Sequence, residues 1–417
     1  AEAFEDVAAL LDETDPDIRK GAIIGLIRYT GIEGLLSAGR SLNTLMDSGS
    51  PQDRRLGAEI LGEMGTSSFY RPLLRLLDDD SPEVQRAAVV ASGRLKNPKL
   101  LPPLMEKLAD PAVRSAAASA IIALGKPILP DLAAAFERES VPLEVKIRIM
   151  RILGRIGGKT AIGMLRDKID AEEDIRNHIL AALVSSGYQA SGREIPRMYE
   201  RIRREMEDAT WALASLVDIG EHGEVDELRD ALLREINKNR KRTFQLLSTI
   251  YPRDTILNAQ THLQGRSSDK TAYSLEILDN TVSPDIKPLI FPIMESMDPG
   301  MRLSRLREHF PQERLSRHDR IKEILSRSGQ STSSWTKAMA LFTVGRIATM
   351  EFYDVVIASL SDPDDIVRET AVWTLGCLNP NDLPDRLRRL TRDRAPRVAR
   401  FARFVINTAG IVDLSLL

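Results

Sequence analysis

Apolar positions in this chain fall at helical spacing, in short runs that stop and restart. YRPLLRLL (70–77) and LLPPLMEKLA (100–109) place apolar residues at i, i+3 and i+4, the signature of one buried helix face. A turn follows such runs, and a second run begins on Asp-Pro or Ser-Pro: DPDIRKGA (15–22), SPQDRRLGA (50–58), SPEVQRAA (81–88), DPAVRSAA (110–117) and DPDDIVRETA (362–371). Asp or Ser before Pro reads as an N-cap followed by a first-turn proline, so each phrase starts a second helix. The unit is a hairpin of two amphipathic helices of roughly 10–15 residues, a length marginal in isolation, so stability must come from stacking on neighbours.

The hairpins recur. Glycines close the second run at Gly31, Gly62, Gly93, Gly125, Gly154, Gly187 and Gly220, separated by 31, 31, 32, 29, 33 and 33 residues. The beat resumes at Gly345, Gly376 and Gly410. The 125 residues between Gly220 and Gly345 hold other stoppers near the expected places, namely Tyr251-Pro252, Asp279-Asn280 and Phe310-Pro311. A period near 30 residues built from helix pairs predicts an all-α fold, an α-solenoid of about thirteen stacked hairpins. Three stretches are expected within one continuous solenoid: regular repeats over 1–190, divergent repeats with longer and more polar helices over 191–330, and a return to regularity over 331–417.

Such a core grows in one dimension, so 417 residues need not divide into globular domains. Aromatics make up only 5%, which suits a core of Leu, Ile, Val and Ala. The formal net charge of −2 carries no general attraction to nucleic acid or membrane. The single cysteine, Cys377, excludes an internal disulfide framework, fits a reducing compartment and reads as an inert buried thiol. No stretch reaches the ~18–20 apolar residues of a membrane span. The acidic start without Met and the apolar end GIVDLSLL suggest a segment of a longer protein.

Catalytic chemistry is not apparent. The five histidines, His178, His222, His262, His309 and His318, stand far apart with no partner at a metal-ligand spacing. GRIGGKT (154–160) has the composition of a phosphate loop but neither its spacing nor a preceding strand, so it reads as an inter-helix turn. DDDS (78–81) and AEED (171–174) sit where helix N-termini favour negative charge. Trp211, Trp335 and Trp373 fall in separate units, against a single aromatic pocket. Catalytic, cofactor and metal sites are therefore all expected to be absent.

Two basic stretches remain, REINKNRKRTF (234–244) and the run from Arg386 to Arg403. In the second, Arg397, Arg400 and Arg403 recur at three-residue spacing, with Phe401 and Phe404 nearby. Together with Arg389 and Arg392 they are the candidate partner-binding residues, for an acidic protein surface or anionic lipid headgroups, with nucleic acid the less favoured ligand.

The phrases LLDDDSPEVQRAAVVASGRL, KLADPAVRSAAASAIIALG and SLSDPDDIVRETAVWTLGCL resemble HEAT repeats, particularly the short bacterial form also found in phycobilin lyases. That resemblance implies stacked helical hairpins, and it implies that Arg19, Arg114 and Arg368 bond acidic or carbonyl groups of the neighbouring unit. A weaker similarity, carried by SLEILDN (274–280), is to the HEAT segment of bacterial ADP/ATP-carrier-like transporter fusions. The function expected is a non-catalytic scaffold for protein–protein or interdomain contact in the cytoplasm, or on the cytoplasmic face of a membrane within a larger protein. The alternatives are a HEAT-type enzyme resembling bilin lyases or DNA glycosylases, or a nucleic-acid scaffold using the arginines.

Overall fold

A computed structural model describes residues 2–169, 173–263, 268–327 and 332–408, and every regular element among them is a helix. Gly410 and the first half of AEED lie outside the described residues. The chain divides into two compact units, residues 1–188 and 189–417.

The first unit is an α-solenoid of six hairpins. Its second helices, Pro16–Tyr29, Pro51–Met64, Pro82–Leu95, Arg114–Leu124, Leu143–Ile156 and Glu173–Ser185, pack each against the next. Apart from Gly31–Met46 the first helices are shorter, such as Tyr70–Leu77 and Leu101–Lys107, and several are entered through a tight turn such as Ser67–Phe69 or Pro98–Leu100. Between the layers lie Ile60, Leu61, Leu73, Leu77, Val84, Val89, Leu104 and Ile121, all at most 1% exposed. Prolines 16, 51 and 82 open their helices as expected. The caps differ in detail. Asp15 accepts the amides of Asp17 and Ile18 at 2.8 and 3.4 Å. Ser50 and Ser81 make no cap bond with their own side chains. Instead Ser48 and Asp79 fold back to take their amides, at 3.1 and 2.9 Å.

The periodic glycines have a different job from the one their spacing suggests. Gly62, Gly93, Gly154, Gly345 and Gly376 lie inside the last turn of their helices. The left-handed residue that ends the helix comes three positions later in four of these cases, at Gly65, Lys96, Ala348 and Asn379. A Cβ on Gly62 would stand 2.9 Å from the Ala91 Cβ, on Gly93 2.9 Å from the Ala120 Cα, and on Gly154 2.7 Å from the Ala182 carbonyl oxygen. The beat therefore marks where one second helix touches the next. Gly125 and Gly220 do stop helices, at φ of 74° and 79°.

The second unit departs from simple stacking. It is built on one long hairpin, Glu194–Ile219 and Asp226–Ile250, where the period allots two short ones. Twelve hairpins are thus found among the described residues, against the expected thirteen or so. Residues 209–216 and 242–249 are buried at every position, so each helix is enclosed on all sides there. Buried hydroxyls in these runs return to their own backbone, Thr210 to Met206 O at 2.6 Å and Thr243 to Asn239 O at 2.9 Å.

Two kinds of neighbour supply the enclosure. Arg253–Leu263, Lys287–Met294 and Pro299–Leu306 pack on the long hairpin, as do Arg317–Ser326 and Ser334–Ile347 from further along the chain. The last two helices are fastened across about 100 residues of sequence: Arg320 bonds Asp218 at 2.6 Å, and Glu235 accepts from Ser333 N and Thr336 Oγ1 at 3.1 and 2.9 Å. From Ser334–Ile347 the regular stack resumes through Asp365–Leu378 to Pro396–Thr408. Of the expected breaks, Tyr251 caps its helix, Asp279-Asn280 falls within the last turn of Ser268–Thr281, and Phe310-Pro311 lies after the helix ending at Leu306.

Candidate functional site

The regular repeats carry a ladder of cations and carboxylates at a fixed offset. Arg54 reaches Asp79 at 2.7 and 2.9 Å, Arg368 reaches Asp393 at 2.9 and 2.8 Å, and Lys337 reaches Asp362 at 3.5 Å, each pair 25 residues apart. Each acid also fixes its own turn by accepting the amide two residues on, from Ser81, Ala395 and Asp364. The Arg54 guanidinium beside Asp79, and that of Arg368 beside Asp393, hold both carboxyls below the usual carboxylate range. Arg19 also reaches the next hairpin, through Asp53 at 3.3 Å, but at a different offset of 34 residues. Arg19 and Arg368 thus brace adjacent hairpins as the family resemblance implied, whereas Arg114 is exposed and does not.

This ladder sets the surroundings of the candidate arginines on the last two hairpins, Tyr353–Ser359 with Asp365–Leu378 and Leu383–Leu387 with Pro396–Thr408. Arg397 turns back to the preceding hairpin, meeting Asp365 at 2.5 Å and Glu369 at 3.3 Å. Arg403 donates twice to the Thr391 carbonyl, at 3.1 and 2.7 Å, tying its helix to the turn before it. Arg389, Arg392 and Arg400 are exposed, and their side chains take part in no ion pair or hydrogen bond among the described residues. The expected common face of Arg397, Arg400 and Arg403 is therefore divided between bracing and exposure.

Beside Arg389 a cleft of about 740 Å³ opens between these hairpins. Ile357, Leu360 and Leu390 form its apolar part, and Arg368, Arg386, Arg389 and Arg394 line it together with Asp362, Asp385 and Asp393. Each acid already has a cation: Lys337 for Asp362, Arg388 for Asp385 at 2.9 Å, and Arg368 for Asp393. Arg386 is held by Asp382 at 2.8 Å and the Tyr353 hydroxyl at 3.1 Å. The Tyr353 hydroxyl itself donates to Asp382 at 2.6 Å, which lowers the Asp382 pKa and raises that of Tyr353. Arg394 donates to the Pro363 carbonyl at 2.7 Å and, among the described residues, faces no carboxylate within ion-pair distance. The surplus charge of the cleft thus rests on Arg389 and Arg394. Sequence reasoning missed Tyr353 and the cleft itself; the recurring 25-residue offset, which places Asp362 and Asp393 in the cleft, was the signal that could have located the cleft.

Elsewhere, little chemistry converges. Among the described residues no group of three or more His, Cys, Asp and Glu could hold a metal ion. His318 pairs with Glu351 at 3.0 Å, and His262 meets Ser274 at 3.2 Å. GRIGGKT is the end of one helix and the start of the next, with Gly157 at φ 63° between them. Cys377 is half-buried rather than fully enclosed. Trp211 lies under Arg327, 4.1 Å from its centroid, Trp373 stacks on Phe342, and Trp335 is exposed, so the three stay apart. No single described helix is long and apolar enough to cross a membrane.

A family model of HEAT repeats matches residues 40–125 and 321–406. Among solved structures, an engineered protein is 14% identical over 97% of this chain and 98% of its own, with a TM-score of 0.27. Human deoxyhypusine hydroxylase in complex with glycerol is 12% identical over 98% of this chain and 96% of its own, with a TM-score of 0.23. Yeast importin-beta is 10% identical over 99% of this chain and 62% of its own, with a TM-score of 0.36. A comparison with curated proteins finds no match.

Proposed function

From the premise that residues 40–125 and 321–406 are HEAT repeats, we propose that this chain is a non-catalytic scaffold whose last two hairpins take an acidic segment of a protein partner. Stacked hairpins suit this work because each adds surface without adding a separate core. The observation that carries the reading is the cleft beside Arg389, where every lining carboxylate is already paired and Arg389 and Arg394 are left without one. An incoming carboxylate there meets the Arg389 guanidinium and that of Arg394, which is held only by the Pro363 carbonyl; guanidiniums bind such groups in bidentate fashion, and the carboxylate's apolar neighbours meet Leu360 and Leu390.

Fluorescence anisotropy with a labelled oligoglutamate peptide tests this. Binding should weaken when salt rises from about 0.1 M to about 1 M, as the Debye length falls from ~10 to ~3 Å. It should fall at least about ten-fold, or 1.4 kcal/mol, in Arg389→Glu/Arg394→Glu. Equal binding by wild type and variant would remove the cleft from the reading. Stronger wild-type binding to phosphatidylserine vesicles or to duplex DNA would replace the acidic peptide with that ligand.

A further inference from the structure

Successive second helices of the first unit meet closely at their glycines. Between Leu143–Ile156 and Glu173–Ser185 the approach is so tight that a Cβ on Gly154 would stand 2.7 Å from the Ala182 carbonyl oxygen. The first helices of the same hairpins, Leu129–Glu137 and Gly158–Arg166, leave more room. Where these four helices meet, a pocket of about 220 Å³ remains. Its walls are Phe136, Met150, Leu153, Met164, Leu165 and Ile179, one or two from each helix. Five of the six are buried, and Met164 is half-buried. Charge in the lining is confined to Glu137, Asp167 and Lys168, and it is matched. The Lys168 ammonium bonds the Glu137 carboxylate, and Asp167 lies 3.6 Å from Arg166. Lys168 Nζ also stands 4.9 Å from the centroid of the Phe136 ring, so the ion pair straps one wall. That pair is open to solvent, where such a bridge contributes little and gives way readily. The Lys146 ammonium flanks the same ring at 5.8 Å, outside the lining.

Protein interiors pack to the density of organic crystals, so a void of this size is an exception. Water does not suit it, since a held water needs about two to four polar partners, and these walls offer carbon and sulfur. An engineered apolar cavity of about 150 Å³ stays dry and takes up benzene, and this pocket is larger. Phe136 supplies a ring for edge-on or offset contact with another ring. Met150 and Met164, unbranched and polarisable, adjust to the outline of a guest and make favourable sulfur–ring contacts. The matched charges of the lining select no charged guest. We propose that this pocket is a binding site for a small, uncharged aromatic molecule of about the size of indole. The site is built from the first unit alone and does not depend on the acidic-segment reading of the last two hairpins.

The probe is indole, followed by NMR of the full chain labelled at its methionine methyls. Met150 and Met164 are two of 12 methionines, so the other methyls report non-specific contact. Indole should shift the Met150 and Met164 signals saturably. Uracil, an uncharged ring rich in hydrogen-bonding groups, should leave them in place. Ala133→Phe, which builds a ring into the pocket from Leu129–Glu137, should weaken indole binding by about ten-fold or more. Should that chain not fold, Ala133→Leu fills the space with less bulk and should weaken binding in the same direction. Leu143→Ala, at an exposed position outside the pocket, should bind as wild type does. The proposal is overturned by an absence of shifts at Met150 and Met164, by shifts spread evenly over all the methyls, or by undiminished binding in a folded Ala133 variant. Benzoate binding more tightly than indole would overturn the uncharged class and bring Lys146 into the site.

Discussion

Gly93→Ala should destabilise this protein, although alanine is the better helix former. Gly93 lies in the last turn of Pro82–Leu95, and a Cβ there would stand 2.9 Å from the Cα and 3.2 Å from the Cβ of Ala120 on the next second helix. The obstructing atoms belong to backbone and to a side chain with no rotamer to change, so the two helices must separate. Opening a packed interface by ~0.5–1 Å forfeits a quarter to a half of the dispersion well along it, and overpacking typically costs ~1–3 kcal/mol. Against that, replacing an interior helical glycine gains about 0.5–1 kcal/mol. The net expectation is a loss of roughly 1–2 kcal/mol. Gly39 is the control. It sits within Gly31–Met46 with no atom within 4 Å of its would-be Cβ, so Gly39→Ala should gain about 0.5–1 kcal/mol. Urea unfolding followed by circular dichroism reads both changes as shifts in midpoint at unchanged slope. If both variants are stabilised alike, the periodic glycines are not contact points and the account of the stack is wrong.

The ladder and the core give three further expectations. Arg368→Ala should cost roughly 3 kcal/mol, since Arg368 and Asp393 are enclosed and a lone buried carboxylate is left behind. Because Asp79 and Asp393 titrate below their ordinary value of 3.8, their contribution is complete above that value and fades as pH falls through the depressed folded values; Arg54→Met/Arg368→Met should flatten the acid limb of a stability–pH curve, and an unchanged limb refutes the linkage. Leu375→Ala, at a fully buried position, should cost ~2–5 kcal/mol. Asp364→Ala removes only a cap bond to Ile366 N, worth about 1 kcal/mol, so equal melting of these two variants would place Leu375 outside the interface.

The hairpin unit was legible because its determinants are local. Proline at the first helical position, an apolar face every three to four residues and a small residue at each crossing all act within one period. Longer helices after residue 190 were legible, but a single long hairpin in place of two short ones was not, because the same signals permit two readings. Gly220 ends a helix whether that helix belongs to a short hairpin or a long one, and WALASLV (211–217) has no polar side to show which face is covered. Trp211 is met by Glu323 and Arg327, more than 100 residues further along the chain, and such a contact has no periodic trace. The fastening acids are equally silent. Asp218 and Glu235 read as surface residues until Arg320 and Thr336 arrive from about 100 positions away.

The arginine ridge shows the same limit at the scale of one helix, and it yields the last prediction. Three residues turn an α-helix by about 300°, so each step along Arg397, Arg400 and Arg403 slips by about 60°, and the outer two diverge by about 120°. That divergence is enough for Arg397 to reach Asp365 and Glu369 on one side and for Arg403 to reach Thr391 on the other, leaving Arg400 to face outward. Charge reversal should therefore separate them. Arg400→Glu changes an exposed side chain without a partner, so stability should move by less than about 0.5 kcal/mol. Arg397→Glu exchanges two attractions for two repulsions; the pair is well exposed, so screening holds the loss to roughly 1–2 kcal/mol. High salt should shrink that loss and leave Arg400→Glu unaffected. Melting curves at about 0.1 and 1 M salt decide the matter. Equal effects of the two reversals would mean that Arg397 is as free as Arg400, restoring the common basic face that the three-residue spacing suggests.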